Sequence, residues 1–202
     1  MSWFMLVLLI MGQSLTSPPQ SSTVENYLMG RPDSPIKIEM FSDFQCPSCR
    51  AFYLDTVTRL LDEYSSGNKV AVIFHDFPLS IHASSRIAAR YSLASKVLGR
   101  DQYLNVIKYL YTCQAEWSWD GNIEKVLSRI LSRGDMEKVK EKLKDPTIEQ
   151  TLDREVALGN SRKVSSTPTL FVTMGGKEQT VSGGLSYVVL KDFIAPNLRG
   201  SN

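Results

Sequence analysis

Two cysteines separated by two residues are the side chains in this sequence best suited to covalent chemistry. They are Cys46 and Cys49, with Pro47 and Ser48 between them. The pair follows a predicted strand and begins a predicted helix, where unpaired backbone N–H groups and the helix dipole favour an anion. This position lowers the pKa of the Cys46 thiol and favours the attacking thiolate. Cys49 lies one helical turn along, where it can close a disulfide with Cys46 or resolve a mixed disulfide.

The same cysteine spacing also occurs in half of a zinc site and in structural disulfides. A zinc site needs four ligands, and Cys113, His75 and His82 are not at spacings that pair naturally with the first two cysteines. A structural disulfide here would close a very short loop and would constrain the unfolded chain little. The strand-to-helix context therefore favours redox chemistry, which needs neither an organic cofactor nor a metal.

A second candidate part of the site is the Thr167–Pro168 bond, which lies just before a predicted strand. Proline at the first residue of a strand is also an ordinary edge feature, and spacing alone leaves the cis and trans isomers open. A cis bond would bring the backbone of Thr167 beside the thiols. Its N–H and C=O could then pair with an extended substrate chain.

The elements that must position these residues form a predicted α/β fold, a small mixed sheet flanked by helices. Strands are predicted from apolar patterning at 36–41, 70–77, 169–173 and 179–181. Helices are predicted at 47–64, 87–98, 103–110, 123–131 with Gly134 as its stop, from Asp145 and Pro146 onward, and at 185–195. A right-handed crossover would make the first two strands parallel, and Gly175 and Gly176 would form the turn of a terminal hairpin.

The start of the chain resembles a targeting segment followed by a linker. Trp3 to Gly12 is apolar, although no Lys or Arg precedes it, and it falls short of the roughly 20 residues that span a bilayer. Residues 1–15 are therefore predicted as a signal peptide or N-terminal anchor, and the Ser-, Pro- and Thr-rich residues 16–34 as a linker. The predicted location is extracytoplasmic, in a periplasm or on the outer face of a membrane.

Composition excludes two broad classes of protein. A hydrophobic content of 43% in 202 residues supports an ordinary core and argues against a disordered chain. The net charge is +2, and no long run of either sign could track a phosphate backbone. Nucleic acid is therefore not an expected partner.

The other cysteine and the two histidines are predicted to be structural. Cys113, on a predicted helix, is expected to behave as a buried small hydrophobe, with a regulatory or metal-binding role as the alternative. His75 and His82 have no acid or nucleophile at catalytic spacing in the sequence. They are expected to be satisfied structural histidines.

Four further side chains are also given structural interpretations. Asp43 and Asp76 are expected to cap or solvate loops. Trp117 and Trp119 are expected to pack against the inserted helices, with the lining of a peptide groove as the alternative.

Three motifs together resemble the DsbA-like branch of the thioredoxin superfamily, over residues 35–196. They are FSDFQCPSC at 41–49, HDFPLSIHASSRIAARYSLAS at 75–95 and STPTLFV at 166–172. The resemblance implies a thioredoxin-like domain formed by 35–80 and 164–198, interrupted by a helical insertion at 81–163. It implies that Cys46 is the nucleophile, Cys49 the resolving thiol and Thr167–Pro168 a cis-proline loop.

The sequence departs from this family pattern at three places. Ser48 stands where strongly oxidising members carry a His that stabilises the thiolate, so a milder oxidant is expected. Met40 stands where many relatives place an acidic residue six positions before the first cysteine, so the usual proton acceptor for Cys49 is missing there. Val164 to Ser166 lacks a Gly that is common before the proline, so the substrate groove is expected to differ.

The function predicted from these observations is dithiol–disulfide exchange with protein or peptide thiols, forming disulfides in exported proteins. A membrane redox partner, a quinone-linked oxidase or a reductase, would restore the enzyme. A reductase or isomerase running the same exchange stays open, because the reduction potential sets the direction. A different class is a peptide-binding, chaperone-like module in which the cysteines are incidental. A third alternative is a redox component of a membrane assembly, anchored by residues 1–15.

Overall fold

The computed structural model describes residues 26–199, which form one five-stranded sheet with helices around it. The strands are β1 (Tyr27–Met29), β2 (Ile36–Ser42), β3 (Val70–Asp76), β4 (Thr169–Met174) and β5 (Lys177–Ser182). Their order across the sheet is β1-β3-β2-β4-β5. β2 and β3 are parallel and the other neighbours are antiparallel. The predicted mixed α/β sheet is therefore confirmed.

The two central strands place residues side by side in a register that decides what faces the cysteines. All seven residues of β3 are buried, as its continuous apolar run predicts. Phe41 pairs with His75, and Ser42 pairs with Asp76. Because side chains alternate between the two faces of a sheet, Phe41 and His75 share one face while Ser42 and Asp76 share the other.

The last two strands form the predicted hairpin. Its turn is Gly175 and Gly176, whose φ angles are +56° and +72°. Residues with side chains rarely adopt positive φ, so glycine at both positions suits a tight two-residue turn.

The helix that carries the cysteines has the predicted bounds and one unpredicted irregularity. It comprises α1 (Pro47–Phe52), a π-helical turn (Tyr53–Val57) and α2 (Thr58–Tyr64). In the π turn, the Thr56 hydroxyl donates to the Leu185 carbonyl oxygen over 2.8 Å. A Cβ atom at Gly184 would lie 2.9 Å from the Phe52 side chain, so glycine permits this close approach.

Six helices lie between β3 and β4, and one follows β5. They are α3 (Ser85–Ser95, continued by a 3-10 turn at Lys96–Leu98), α4 (Arg100–Thr112), α5 (Gln114–Trp117), α6 (Ile123–Leu127), α7 (Arg133–Lys142), α8 (Pro146–Ser161) and, last, α9 (Tyr187–Arg199). Asp145 caps α8 by accepting from the Thr147 N–H over 2.9 Å, as predicted.

Two helix predictions are wrong in detail. Gly134 does not stop the helix predicted at 123–131, because α6 ends at Leu127 and Gly134 lies in the first turn of α7. Ser132 starts that new helix by accepting a hydrogen bond from the Asp135 N–H over 3.1 Å. Cys113 lies in the turn between α4 and α5 rather than within a helix.

The sheet begins within the stretch predicted as a linker. Tyr27–Met29 pairs antiparallel with β3, and Leu28 is fully buried. The linker prediction for residues 16–34 is therefore wrong for these three residues, because they cover the otherwise open edge of β3. The predicted targeting segment at 1–15 lies outside the described residues. Between residues 26 and 199, no helix combines the length and apolarity needed to cross a membrane.

Candidate active site

The cysteine pair lies where β2 ends and α1 begins. After Ser42, the chain turns through 43–46, and the Cys46 N–H donates to the Asp43 carbonyl oxygen over 3.2 Å. Cys46 is the N-cap residue of α1, with φ −74° and ψ 122°, and Pro47 occupies the first turn. Proline is well placed there, because a first-turn N–H has no helical acceptor. The sequence prediction for this local geometry is confirmed.

The two thiols lie in contact but differ in access. They are 3.5 Å apart, and neither is in a disulfide in this structure. Cys46 retains 7% exposure while Cys49 has none. A thiol on an approaching chain can therefore reach Cys46 far more easily than Cys49.

The Thr167–Pro168 bond is cis and lies against Cys46, as the resemblance implies. The Cys46 thiol donates to the Thr167 carbonyl oxygen over 3.3 Å. The Thr167 hydroxyl is buried without a hydrogen-bond partner. It is therefore available as a donor when Cys46 becomes a thiolate.

The surroundings of Cys46 favour its charged form. The hydrogen bond from the Cys49 thiol lowers the pKa of Cys46 most strongly, burial opposes it, and donors from Thr167 and from the backbone N–H groups of Cys49 and Ser48 lower it further. The pKa falls from 9.0 to about 5. The backbone donors belong to the first turn of α1, which agrees with the predicted effect of a helix N-terminus.

The surroundings of Cys49 favour its neutral form. Burial and the hydrogen bond to Cys46 raise the pKa of Cys49 well above 9.0, although the Asp43 N–H and the Ser42 and Thr167 hydroxyls act in the opposite direction. The pair therefore consists of one charged sulfur and one protonated sulfur at neutral pH. This is the arrangement that an attacking thiol and a resolving thiol require.

Asp43 is the main positioning residue that the sequence interpretation missed. Its fully buried carboxylate accepts from the Gln45 N–H (2.7 Å), the Leu79 N–H (2.7 Å), the His82 Nδ1 (2.8 Å) and the Ser85 hydroxyl (2.5 Å). The bond from the Gln45 N–H is the loop capping that the sequence predicted. The other three bonds do more, because they tie the cysteine loop to residues 79–85 at the start of α3. An aspartate three residues before Cys46 was the available signal, but its partners lie far along the chain.

Two glutamines, Gln114 on α5 and Gln45 in the loop itself, link the cysteine loop to the inserted helices. The Gln114 side-chain amide donates to the carbonyl oxygens of Phe44 (2.7 Å) and Cys46 (3.1 Å). The Gln45 amide donates to the Ser118 carbonyl oxygen and accepts from the Ser84 N–H, both over 2.8 Å. The inserted helices therefore fix the backbone around the thiols, which the sequence did not reveal.

The remaining predicted residues are divided between confirmed and corrected interpretations. His75 and His82 are both bonded to carboxylates, as expected of structural histidines. Asp76 is not in a solvated loop, because it ends the central strand β3, where burial raises its pKa to about 8.

The two tryptophans behave differently from each other, and the third cysteine is buried. The Trp117 indole N–H donates to the Leu110 carbonyl oxygen over 2.8 Å, so its packing role is confirmed. Trp119 is 80% exposed, and the packing prediction is wrong for it, because it projects from the loop after α5. Cys113 is buried as expected, and burial raises its pKa.

A groove of about 470 Å³ runs along the cysteine helix and includes Ser48, the residue before Cys49, in its lining. Its walls combine one side of that helix with residues 184–188, at the start of α9. The lining residues nearest the cysteines are Ser48, Ala51 and Phe52, and those on the opposite wall include Gly184, Leu185 and Tyr187. Between residues 26 and 199, no group of three or more His, Cys, Asp or Glu residues is arranged to hold a metal ion.

Comparisons with known proteins agree with this geometry. A thioredoxin family model matches residues 22–187. The probable disulfide bond formation protein D of Bacillus cereus is 26% identical over 148 residues, which cover 71% of this chain and 68% of that protein. Disulfide bond formation protein D of Bacillus subtilis is 25% identical over 186 residues, covering 86% and 77%.

Solved structures show the same fold. The oxidised BdbD of Bacillus subtilis matches with a TM-score of 0.68 and 22% identity, over 85% of this chain and 92% of that one. The alpha-DsbA1 of Wolbachia pipientis matches with a TM-score of 0.71 and 19% identity, over 85% and 90%. These similarities confirm the fold class predicted from the sequence.

Proposed function

Since the chain belongs to the thioredoxin family, we propose that it is a DsbA-like protein thiol–disulfide oxidoreductase that works through Cys46 and Cys49. The observation that carries this proposal is the contrast between the two thiols. The pKa of Cys46 is lowered to about 5, while Cys49, 3.5 Å away, is fully buried and keeps its proton. The names of the two Bacillus relatives support it.

In the oxidising direction, the protein starts with a Cys46–Cys49 disulfide. A substrate thiolate attacks the Cys46 sulfur, the disulfide breaks, and its electron pair passes to Cys49. A second substrate thiolate then attacks the substrate sulfur of the mixed disulfide and releases Cys46 as a thiolate. The substrate gains a disulfide, and the protein holds the two electrons as a dithiol. We propose that the backbone N–H and C=O of Thr167, on the cis-proline loop, align the substrate chain.

The stabilised Cys46 thiolate favours the reduced protein and therefore the oxidising direction. We propose that the substrates are thiols of exported proteins, that the protein acts outside the cytoplasm, and that a membrane redox partner removes its electrons. The exchange itself needs no cofactor. The division into a thioredoxin-like part at 35–80 and 164–198 and an insertion at 81–163 stays a prediction.

Catalysis can be tested with a reduced, unfolded protein that contains two cysteines, with glutathione disulfide as the terminal oxidant. The full chain is expected to speed disulfide formation over many turnovers. Cys113→Ser serves as the matched control, because it removes a cysteine outside the pair and should retain this activity. Oxidation no faster with the wild-type chain than with Cys46→Ser would overturn the proposal.

A second candidate function is a module that holds unfolded peptides, and two exposed side chains favour it. Ile81 and Trp119 are each 80% exposed and lie on the two loops that Gln45 ties together. They are the most exposed large apolar side chains between residues 26 and 199, and a contiguous apolar patch that included both would be typical of an interaction surface. Under this alternative, peptide binding survives Cys46→Ser and fails in Trp119→Ala. The wild-type chain then does not catalyse thiol–disulfide exchange.

A further inference from the structure

The Cys49 sulfur raises a physical problem that the proposed exchange does not solve by itself. When a substrate thiolate attacks Cys46, the Cys49 sulfur leaves with a negative charge, yet this sulfur is fully buried. Developing charge in a buried place is costly unless donors surround it. The inference below rests on the proposed function, because only exchange places that charge on Cys49.

The first donor is the backbone N–H of Asp43, which points at the Cys49 sulfur over 3.4 Å. A backbone group moves little when its own side chain is held in place, and the Asp43 side chain is held by hydrogen bonds. The Asp43 carboxylate accepts four hydrogen bonds, of which those from Leu79, His82 and Ser85 come from outside the cysteine loop. The N–H is therefore held in place before the charge develops.

The second donor is the hydroxyl of Ser42, the last residue of β2. The Ser42 and Tyr111 hydroxyl oxygens lie 2.7 Å apart, and both side chains are buried. The Ser42 hydroxyl also interacts with the Cys49 sulfur by a side-chain hydrogen bond. If the Tyr111 hydroxyl donates to the Ser42 oxygen, the Ser42 hydrogen is left for that sulfur. Tyr111 is itself held by packing against the rings of Phe44 and Tyr53.

The donors act on the pKa of Cys49 in one direction. Burial dominates and raises that pKa, while the Asp43 N–H, the Ser42 hydroxyl and the Thr167 hydroxyl each lower it. They therefore interact more strongly with the thiolate than with the thiol.

We infer that the Asp43 N–H and the Ser42 hydroxyl, the latter oriented by Tyr111, stabilise the Cys49 sulfur as the leaving group when the disulfide opens. The attacking thiolate forms a bond to the Cys46 sulfur, the Cys46–Cys49 bond breaks, and its electron pair becomes the Cys49 thiolate between these donors. The thiolate then takes a proton from solvent. The Asp43 N–H contacts the reacting Cys49 sulfur, the Ser42 hydroxyl donates to the same sulfur in this inference, and Tyr111 is a positioning residue.

This role predicts a kinetic effect without an equal effect on the equilibrium. The donors act on the transient thiolate, whereas the reduced protein at neutral pH holds Cys49 as a thiol, which accepts hydrogen bonds weakly. Losing the Ser42 hydroxyl should therefore slow disulfide opening, since a thiol with a higher pKa leaves more slowly. The equilibrium with glutathione should change by less than about twofold.

The test uses the oxidised full chain with Cys113→Ser and dithiothreitol, a small thiol that needs no docking surface. Acid quenching and alkylation at set times give the rate constant for disulfide opening in Ser42→Ala and Tyr111→Phe. Ser95→Ala and Tyr53→Phe are the matched controls, because Ser95 is buried on α3 and Tyr53 stacks on Tyr111. Circular dichroism and thermal unfolding establish that each variant is folded. If Ser42→Ala does not fold, Tyr111→Phe still tests the inference, because it retains the packed ring.

We expect Ser42→Ala to slow opening by about 3- to 30-fold, Tyr111→Phe by less, and the controls by less than about twofold. The double variant should be no slower than Ser42→Ala, because Tyr111 acts through Ser42. Rates within about twofold of wild type in both variants, or rates and equilibrium that shift in parallel, would overturn the inference. A wild-type chain without a reducible Cys46–Cys49 disulfide would instead overturn the proposed function.

Discussion

The two faces of the central strands stabilise buried charge in different ways. On the face that carries His75, charges are paired with charges: the His75 ring lies 2.5 Å from a Glu155 oxygen and 3.4 Å from a Glu39 oxygen. Arg162 extends the cluster by contacting Glu39 (2.6 Å) and Glu178 (2.7 Å). On the opposite face, the Cys46 sulfur is stabilised by hydrogen-bond donors and the start of a helix.

The face that carries Glu39 and His75, called the paired face, keeps its charges in place by ion pairing. Burial alone would lower the pKa of His75, but the hydrogen bond to Glu155 and the attraction of the nearby Glu39 carboxylate outweigh it and raise the pKa to about 9. Arg162 also lies 3.6 Å above the ring of Phe171. Such a cluster links β2, β3, β5 and α8 and stabilises the sheet behind the thiols, provided that no member is removed.

The opposite face, which carries Ser42 and contacts the cysteines and is called the thiol face, leaves the negative charge on Cys46 reactive. Backbone and thiol donors lower the pKa of Cys46 without placing a fixed counter-ion over the sulfur that substrates must reach. Ion pairs suit a charge that must stay in place, whereas oriented dipoles suit a charge that must move during the reaction.

Substitution of the cysteines should give the largest effect and should be confined to the thiol face. Cys46→Ser is expected to reduce exchange by about a thousandfold or more, because the attacking sulfur is lost. Cys49→Ser should instead accumulate mixed disulfides at Cys46, detectable as added mass in intact-protein mass spectrometry. Equal activity in both variants would contradict the division of roles between the two sulfurs.

Breaking the paired face should affect stability rather than chemistry. His75→Gln leaves Glu39 and Glu155 without their shared cation and is expected to cost about 3 kcal/mol in the free energy of unfolding. Urea unfolding measures this cost, and the ultraviolet absorbance of the thiolate measures whether the pKa of Cys46 has changed. A lowered stability with an unchanged pKa is expected. A large change in that pKa would show that the two faces are coupled.

His75 and the reduced Cys46 should give stability opposite dependences on pH. The pKa of His75 is raised to about 9, so its contribution is complete below about 6.5 and is lost as the pH rises through 9. The pKa of Cys46 is lowered from 9.0 to about 5, so its contribution is present above pH 9 and is lost as the pH falls through 5.

Only the reduced protein has the Cys46 contribution, which allows the two effects to be separated. Between pH 6.5 and 9, the oxidised protein should lose stability with rising pH, and the reduced protein should lose less. Urea unfolding of both forms across this range measures the difference. Identical slopes would contradict a lowered pKa at Cys46.

The outer end of the paired face should give the smallest effect. Glu178 is partly exposed where it meets Arg162, and exposed ion pairs contribute little. Glu178→Gln is therefore expected to change the free energy of unfolding by about 0.5 kcal/mol or less. It is the matched control for His75→Gln in the same unfolding measurements, and a cost as large as that of His75→Gln would show that the cluster acts as one unit.

Local patterns in the sequence predicted much of this molecule. The spacing of Cys46 and Cys49 and the strand-to-helix transition around them needed only neighbouring residues. The family resemblance, carried by residues 166–172, identified the cis bond at Pro168, which spacing alone left open. The glycine pair at the β4–β5 turn predicted the hairpin because positive φ is a local requirement.

Contacts between distant parts of the chain were not predictable in this way. Ser42 and Tyr111 are 69 residues apart, and the partners of Asp43 between Leu79 and Ser85 are 36 to 42 residues away. The Tyr27–Met29 strand is too short to show a pattern and is defined by its pairing with β3. Such features depend on how the elements pack, which a single sequence does not state.

Cys46 and Cys49 are expected to form a reversible redox couple whose disulfide oxidises the thiols of other proteins. The most direct measurement is the equilibrium of this pair against glutathione redox buffers, in the full chain with Cys113→Ser. We expect a two-electron couple with a potential near or above about −200 mV, because the Cys46 thiolate stabilises the reduced protein. No reversible couple, or a potential below about −270 mV, would contradict the account.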